Sequence, residues 1–446
     1  MRFVPISCEE REEMLRAVGS SDIDDLFSSI PAEVRLGRPL AIANGMTEME
    51  VAGRMRALAD ANIPASRLIS FAGAGCYDHY VPAIVDHMLR KPEFFTAYTP
   101  YQPEVSQGTL QNIYEFQTMV CELFGMDVAN ASMYDGATAF TEGALMAARV
   151  TKRRRVLVSY TVHPAWRQVL DTYAAAGTIE VVTVPPDGPG HTSMQALQGL
   201  IDDTAAAVLV SSPAFLGSLE DVRGLADAAH SVGALLVVAT NPILAGVLES
   251  PGAQGADIVV GEGQVLGGAM SFGGPGLGLF ACRMEHLRQM PGRVVGRTVD
   301  VDGNMAFVLT MQTREQHIRR EKATSNICSN HALNALAAAV YLEAVGVEGL
   351  RALGHACVSK AHYLHDSLVA TGRFATSGTP FANEFALTFQ HPAAWMRDRL
   401  LAKGFLACVP MCEVVPGAAP AMAIFAVTEK RTRAEMDAFV EAVVAL

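Results

Sequence analysis

Apolar and polar positions follow different rhythms in successive parts of this chain of 446 residues. Residues 1 to 65 carry helix-spaced apolar positions joined by short polar links. Helix starts fall at Ser21-Asp22 and at Thr47-x-x-Glu50, the second with the spacing of a capping box. From about 66 to 285, short β-branched runs alternate with amphipathic stretches. The runs are Arg155–Tyr160, Ile179–Val184, Ala207–Ser211, Ala234–Ala239, Asp257–Val260 and Leu277–Ala281. The stretches include Pro164–Ala175, Ser193–Ile201 and Asp221–Val232. Such alternation predicts βαβ units, and therefore a mostly parallel sheet covered on both faces. Residues 286 to 330, with Gly292, Gly296 and Gly303, are expected to be a connector. An Ala/Leu-rich helical pattern begins near 331; strands Glu384–Thr388 and Ala421–Ala426 and a last helix near Arg433–Ala445 follow. The prediction is an α/β chain with a helical arm at 1–65, a large domain at 66–330 and a small C-terminal α/β domain at 331–446.

Half of the residues are hydrophobic and 18% are charged, enough apolar surface for a large core and too little polarity for wholesale disorder. The net charge of -12 argues against a nucleic-acid partner, which calls for a basic face. The one basic run, Lys152-Arg153-Arg154-Arg155, reads foremost as a solvated helix end, with a binding patch as the other reading. Eight scattered cysteines do not make a disulfide framework, and Cys408 and Cys412 lack the companion ligands of a zinc site, so no metal is expected. The start lacks a signal-peptide core and no uninterrupted run reaches membrane-span length, so a cytoplasmic protein without membrane contact is expected.

Three stretches carry candidate chemistry. Tyr134-Asp135-Gly136-Ala137-Thr138 precedes a helix. Gly136 allows a tight turn and Asp135 or Thr138 can cap, which makes either an ordinary helix start or a phosphate cradle at Gly136, Ala137 and Thr138. Gly255–Gly267 ends an apolar strand in a glycine-rich loop, and Phe272-Gly-Gly-Pro-Gly276 follows. Ligands bind past the carboxyl ends of parallel strands, but no long helix follows these glycines as a dinucleotide fingerprint requires. The third is the aromatic, proline-rich loop Phe94–Gly108, ahead of a helix at Thr109–Phe124 that closes at Gly125. Its tyrosines suit an interface or a pocket, and a packed structural loop is the alternative. His362 and His365 have no carboxylate motif beside them and read as structural.

Taken in order, several segments resemble the glycine decarboxylase component, or P-protein, of the glycine cleavage system over essentially the whole chain. They are Phe71-Ala-Gly-Ala-Gly-Cys-Tyr-Asp-His-Tyr80, Tyr98–Gly108, Met133-Tyr-Asp-Gly-Ala-Thr138, Gly255-Ala-Asp-Ile-Val-Val-Gly261, Phe272–Gly276 and Ala323-Thr-Ser-Asn-Ile-Cys328. The resemblance implies the transferase architecture of fold-type I pyridoxal-phosphate enzymes. Length and motifs are similar to subunit 1, the N-terminal-half type of a two-subunit enzyme. It implies a homologous sister, subunit 2, in a heterodimer or α2β2 assembly, and a reaction that decarboxylates glycine and passes the aminomethyl group to the lipoyl arm of H-protein.

The resemblance also makes a chemical demand. A pyridoxal-phosphate enzyme holds its cofactor on a lysine, expected between the Ala-Asp-Ile-Val-Val strand and the Gly-Gly-Pro-Gly. Gln264 and Val265 stand there, and neither can form an imine. The six lysines are Lys91, Lys152, Lys322, Lys360, Lys403 and Lys430, none between 153 and 321. The aspartate expected at the end of the preceding strand is replaced by Ala239-Thr240-Asn241. No catalytic residue and no covalent cofactor are therefore expected on this chain. Pyridoxal phosphate is expected on the sister, with Tyr98, Tyr101, Gln102, Glu104 and Gln107 as candidates for a wall of the sister's site. Two alternatives are a paralogue that binds partners without touching an active site, and a self-sufficient enzyme using an unusual lysine such as Lys322.

Overall fold

The computed structural model describes residues 6–446 except Ala97, Pro189 and Cys328. It divides into two compact units, Met1–Ile63 and Pro64–Leu446. In the first, helix α1 (Cys8–Ala17) is capped by Ser7, and α2 (Glu48–Asp60) by Thr47, whose capping box closes on Glu50. Ser21-Asp22 starts no α-helix; only a single turn, Asp24–Phe27, follows it. Among the described residues of this unit only Leu15 is buried.

In the second unit a short strand (Ile69–Ser70, paired with Phe405–Leu406) and a short helix (Ala83–Leu89) precede α3 (Gln107–Phe124), which ends at Gly125 in the left-handed conformation. Its inner face buries Leu110, Ile113, Phe116, Val120 and Phe124, the spacing of an amphipathic helix. A seven-stranded sheet follows: β1 (Val128–Ala129), β2 (Arg155–Ser159), β3 (Glu180–Val184), β4 (Ala205–Ser211), β5 (Leu235–Thr240), β6 (Ile258–Glu262) and β7 (Gly278–Cys282). Their spatial order is β1-β7-β6-β5-β4-β2-β3. All neighbours from β6 to β3 are parallel, and β7 runs antiparallel to both β6 and β1. Helices α4 (Gly136–Thr151), α5 (Pro164–Ala174) and α6 (Val222–Ser231) lie between strands in the chain. Alternate residues of one strand feed opposite cores: Leu236 and Val238 of β5 enter one, Val237 and Ala239 the other. That is the period-two consequence of a doubly covered sheet.

The expected connector at 286–330 is not irregular. It contains a hairpin of β8 (Val294–Val299) and β9 (Met305–Thr310), paired antiparallel over their whole length. Val294, Val295, Thr298 and Val299 favour extended backbone, and the Asp300–Asn304 turn closes the hairpin. The Ala/Leu-rich region forms α7 (Ala332–Ala370), broken at Gly346, where φ is +63°. It is long and apolar enough to cross a membrane, yet it buries Ala335–Ala339, Tyr341, Cys357 and Leu364 among the other elements, as a core helix does. A four-stranded antiparallel sheet, β10 (Phe374–Thr376), β11 (Glu384–Phe389), β12 (Val409–Pro410) and β13 (Met422–Ala426), encloses a third core with α8 (Arg433–Val444).

Arg153 donates to the carbonyls of Ala205 and Val232, and Arg155 pairs with Asp202 at 3.2 Å, so the basic run ties loop ends together.

Candidate active site and its closed cradle

The carboxyl ends of β4, β5 and β6 open into a cleft, the usual place for a ligand in a parallel sheet. Ser211, Ala239, Thr240, Asn241, Glu262 and Val265 line it from the sheet side, Gly75 and Tyr77 from the segment before α3, and Glu384 from β11. The enclosed volume is about 70 Å³, well short of the ~300–1,000 Å³ of a typical ligand cleft.

At one end lies the amino terminus of α4. Asp135 caps it, accepting from Thr138 N at 2.7 Å, and the Thr138 hydroxyl turns back to the Asp135 carbonyl at 3.0 Å. The cap expected from sequence is therefore made, and Thr138 spends its hydroxyl on it. Gly136 N donates to Glu262 Oε2 at 2.9 Å, while Glu262 Oε1 accepts from Gln264 N at 2.9 Å and Leu277 N at 2.8 Å. A side chain at Gly136 would collide with Trp166, and one at Gly276 would meet Glu262 Oε2 at 2.9 Å. These glycines bring backbone close to an internal carboxylate. Burial pushes the Glu262 pKa up, against the pull of the three amides.

Gln264 and Val265 occupy a single turn after β6. The Gln264 amide is stitched to backbone: Oε1 accepts from Tyr77 N at 3.2 Å, and Nε2 donates to Tyr77 O at 3.2 Å and Gly268 O at 2.8 Å. Val265 is buried against the cleft. Lys322 is exposed, and no lysine lines the cleft among the described residues. His163 is likewise committed: Nδ1 accepts from Ala165 N, Nε2 donates to Ala74 O at 2.9 Å, and burial pushes its pKa below the ordinary imidazole value.

Glu384, buried, accepts from Ala74 N at 2.5 Å and from the Tyr77 hydroxyl at 2.8 Å. Burial raises its pKa to about 7. A second latch joins residues near Tyr80 to the loop after β13. His79 Nδ1 lies 2.6 Å from Glu429 Oε2, and Cys357 Sγ is 3.7 Å from the same oxygen. These three side chains have the composition of a metal site; as a thiol, Cys357 donates to Glu429, and burial pushes its pKa up to about 12. Cys408 is buried and Cys412 exposed.

The five tyrosine-loop candidates lie outside this cleft. Tyr98, Tyr101, Gln102 and Glu104 are exposed. Tyr101 is fixed from beneath: Arg293 Nη2 donates to its hydroxyl at 2.8 Å, and the guanidinium, paired with Glu315 at 3.2 Å, sits 5.3 Å from the ring centre. Gln107 is spent internally, bonding both N and O of Phe307 on β9. The motif ending at Cys328 anchors on α4 through Ser325 and Glu142, 2.5 Å apart; Cys328 itself lies outside the described residues.

Residues 1–443 match the family model described as glycine cleavage system P-protein. The chain belongs to that family. Among P-protein relatives, a probable glycine dehydrogenase (decarboxylating) subunit 1 from Carboxydothermus hydrogenoformans is 51% identical, covering 99% of both chains. One of the same name from Geobacillus kaustophilus is 49% identical over 98% of both. A crystal structure of glycine decarboxylase (P-protein) of the glycine cleavage system, in inhibitor-bound form, aligns over 100% of both chains with a TM-score of 0.90 and 45% identity. Sphingosine-1-phosphate lyase from Burkholderia pseudomallei shares the fold alone, with a TM-score of 0.65 at 16% identity over 93% of both chains. The architecture is that of fold-type I pyridoxal-phosphate enzymes.

The residues of this P-protein cleft do not fit pyridoxal phosphate. The imine position offers no amine, β5 ends without a carboxylate, and the amide that would meet a phosphate at Gly136 is bonded to Glu262.

Sequence reasoning missed Glu262, Glu384, Tyr77 and His163. An acid at the end of an apolar strand, inside a glycine-rich loop, was the available signal for Glu262; nothing in the sequence pairs Glu384 with Tyr77, 307 residues apart.

Proposed function

We propose that this chain is the cofactor-free subunit of a two-subunit glycine decarboxylase and that its homologous sister carries pyridoxal phosphate. When bound, that group supplies the electron sink for loss of carbon dioxide. The assembly then hands the aminomethyl group to the lipoyl arm of H-protein, with an α2β2 arrangement as the expected stoichiometry. The observation that carries this reading is a cleft, in a chain that the P-protein family model matches over residues 1–443, whose Gly136 amide is bonded to its own Glu262 and which no lysine lines among the described residues.

The chain's own contribution is a surface. Tyr101 is held rigid by Arg293 yet presented outward, as aromatic anchors at interfaces are. The hairpin that Gln107 clamps to this loop exposes Val299, Val301 and Met305. We assign this face to the sister, where Tyr98, Tyr101, Gln102 and Glu104 wall its site and exclude water, and Gln107 sets the loop. Tyr101→Ala combined with Gln102→Ala is expected to lower glycine–carbon dioxide exchange by the reconstituted complex by roughly tenfold or more, the scale of losing one well-packed contact. Unchanged exchange contradicts the assignment. Association of the two chains without any gain in activity supports the paralogue reading instead.

A further inference from the structure

Three backbone amides from three separate segments converge on one carboxylate. Gly136 opens α4, Gln264 follows β6 and Leu277 precedes β7; all three donate to Glu262. Helix amino termini gather anions because their first amides lack helical acceptors and the helix dipole adds positive potential. The anion here belongs to the chain itself. Gly136 cannot carry a side chain without striking Trp166, nor Gly276 without striking Glu262, so the backbone is drawn around that carboxylate.

We propose that Glu262 is a resident anion standing in the cradle where a phosphate group would otherwise lie, closing this chain's cleft to phosphorylated ligands. In a heteromer of homologous chains, this directs a phosphate-bearing cofactor to one of two related clefts. The closure is more than the loss of a lysine. A missing amine removes the covalent bond and leaves a phosphate free to bind; Glu262 removes the phosphate's donors as well. It is also independent of whether the tyrosine loop reaches the sister.

The test uses the full chain and inorganic phosphate, with chloride at matched ionic strength as reference. Glu262→Gly vacates the carboxylate and its stem while leaving the three amides in place. This variant is expected to melt below the wild type in chloride and to rise by roughly 2 °C or more as phosphate saturates the vacated site. The wild type and Glu262→Gln should show only the small, non-saturating response that phosphate gives any protein by exclusion from its surface. A saturable shift confined to Glu262→Gly, or recovery of its folding by phosphate alone, supports the proposal. Equal responses in all three chains overturn it, as does a saturable response of the wild type. Should Glu262→Gly fold in neither salt, Glu262→Gln decides. Its amide sets an N–H against at least one backbone N–H, so it is expected to melt below the wild type, and a melting temperature equal to that of the wild type overturns the proposal.

Discussion

Gln264 stands at the position where the family resemblance calls for a lysine, and its role is structural. Three hydrogen bonds tie its amide to the backbone of Tyr77 and Gly268. Removing one partner of a buried bond leaves the other unsatisfied, at about 1–3 kcal/mol. Gln264→Ala should therefore lower unfolding free energy by that order in urea titrations, while the exchange activity of the folded complex stays unchanged; lost activity at full stability contradicts the structural role. Glu384 makes a pH prediction. Its folded pKa, about 7, lies above the ordinary 4.5. The folded state therefore keeps a proton that the unfolded state releases, and stability falls as pH rises from about 4.5 to 7. The full shift corresponds to about 3 kcal/mol. Urea titrations across that window should show this slope in the wild type and its loss in Glu384→Gln; parallel curves contradict it. The missing lysine was legible because absence is a property of composition. What occupies the amide cradle at the start of α4 was not, since Glu262 meets Gly136 from 126 residues away.

At the scale of elements, each strand expected between 155 and 281 forms within one or two residues of its predicted ends, because buried strands are near-continuous apolar runs and the partly exposed edge strand β3 is itself rich in valine. The three helices at 164–174, 194–200 and 222–231 form likewise. The β8–β9 hairpin was hidden by its glycines, which read as breaks, although the valines around them carried the strand signal. The cap at Thr47 was visible because a capping box is local. What the arm packs on was not. Helices as short as α1 and α2 are marginal in water without tertiary contacts, and here both leave large apolar side chains such as Met14, Met49 and Leu58 exposed. The arm is thus expected to order on the sister subunit. Backbone amides of 8–17 and 48–60 should exchange with deuterium quickly in the isolated chain and slowly in the complex, and equally fast exchange in both removes the arm from the interface.

At the scale of the whole molecule, fold and family were legible because many short motifs occur in one order over nearly the entire length, and the family model spans residues 1–443. The proposed division of labour between two chains rests on a chemical deficit in the sequence, and the cleft gives that deficit a physical form: a small cavity, a helix-terminal amide already bonded and, among the described residues, walls without a lysine. The most direct test is to reconstitute this chain with its sister, reduce the complex with borohydride to fix any imine, and locate the pyridoxyl label by peptide mapping. The account predicts one label per pair of chains, all of it on the sister, and no label on this chain incubated with cofactor alone. A pyridoxyl lysine in this chain, at Lys322 or any other position, accompanied by glycine turnover without the sister, would contradict it.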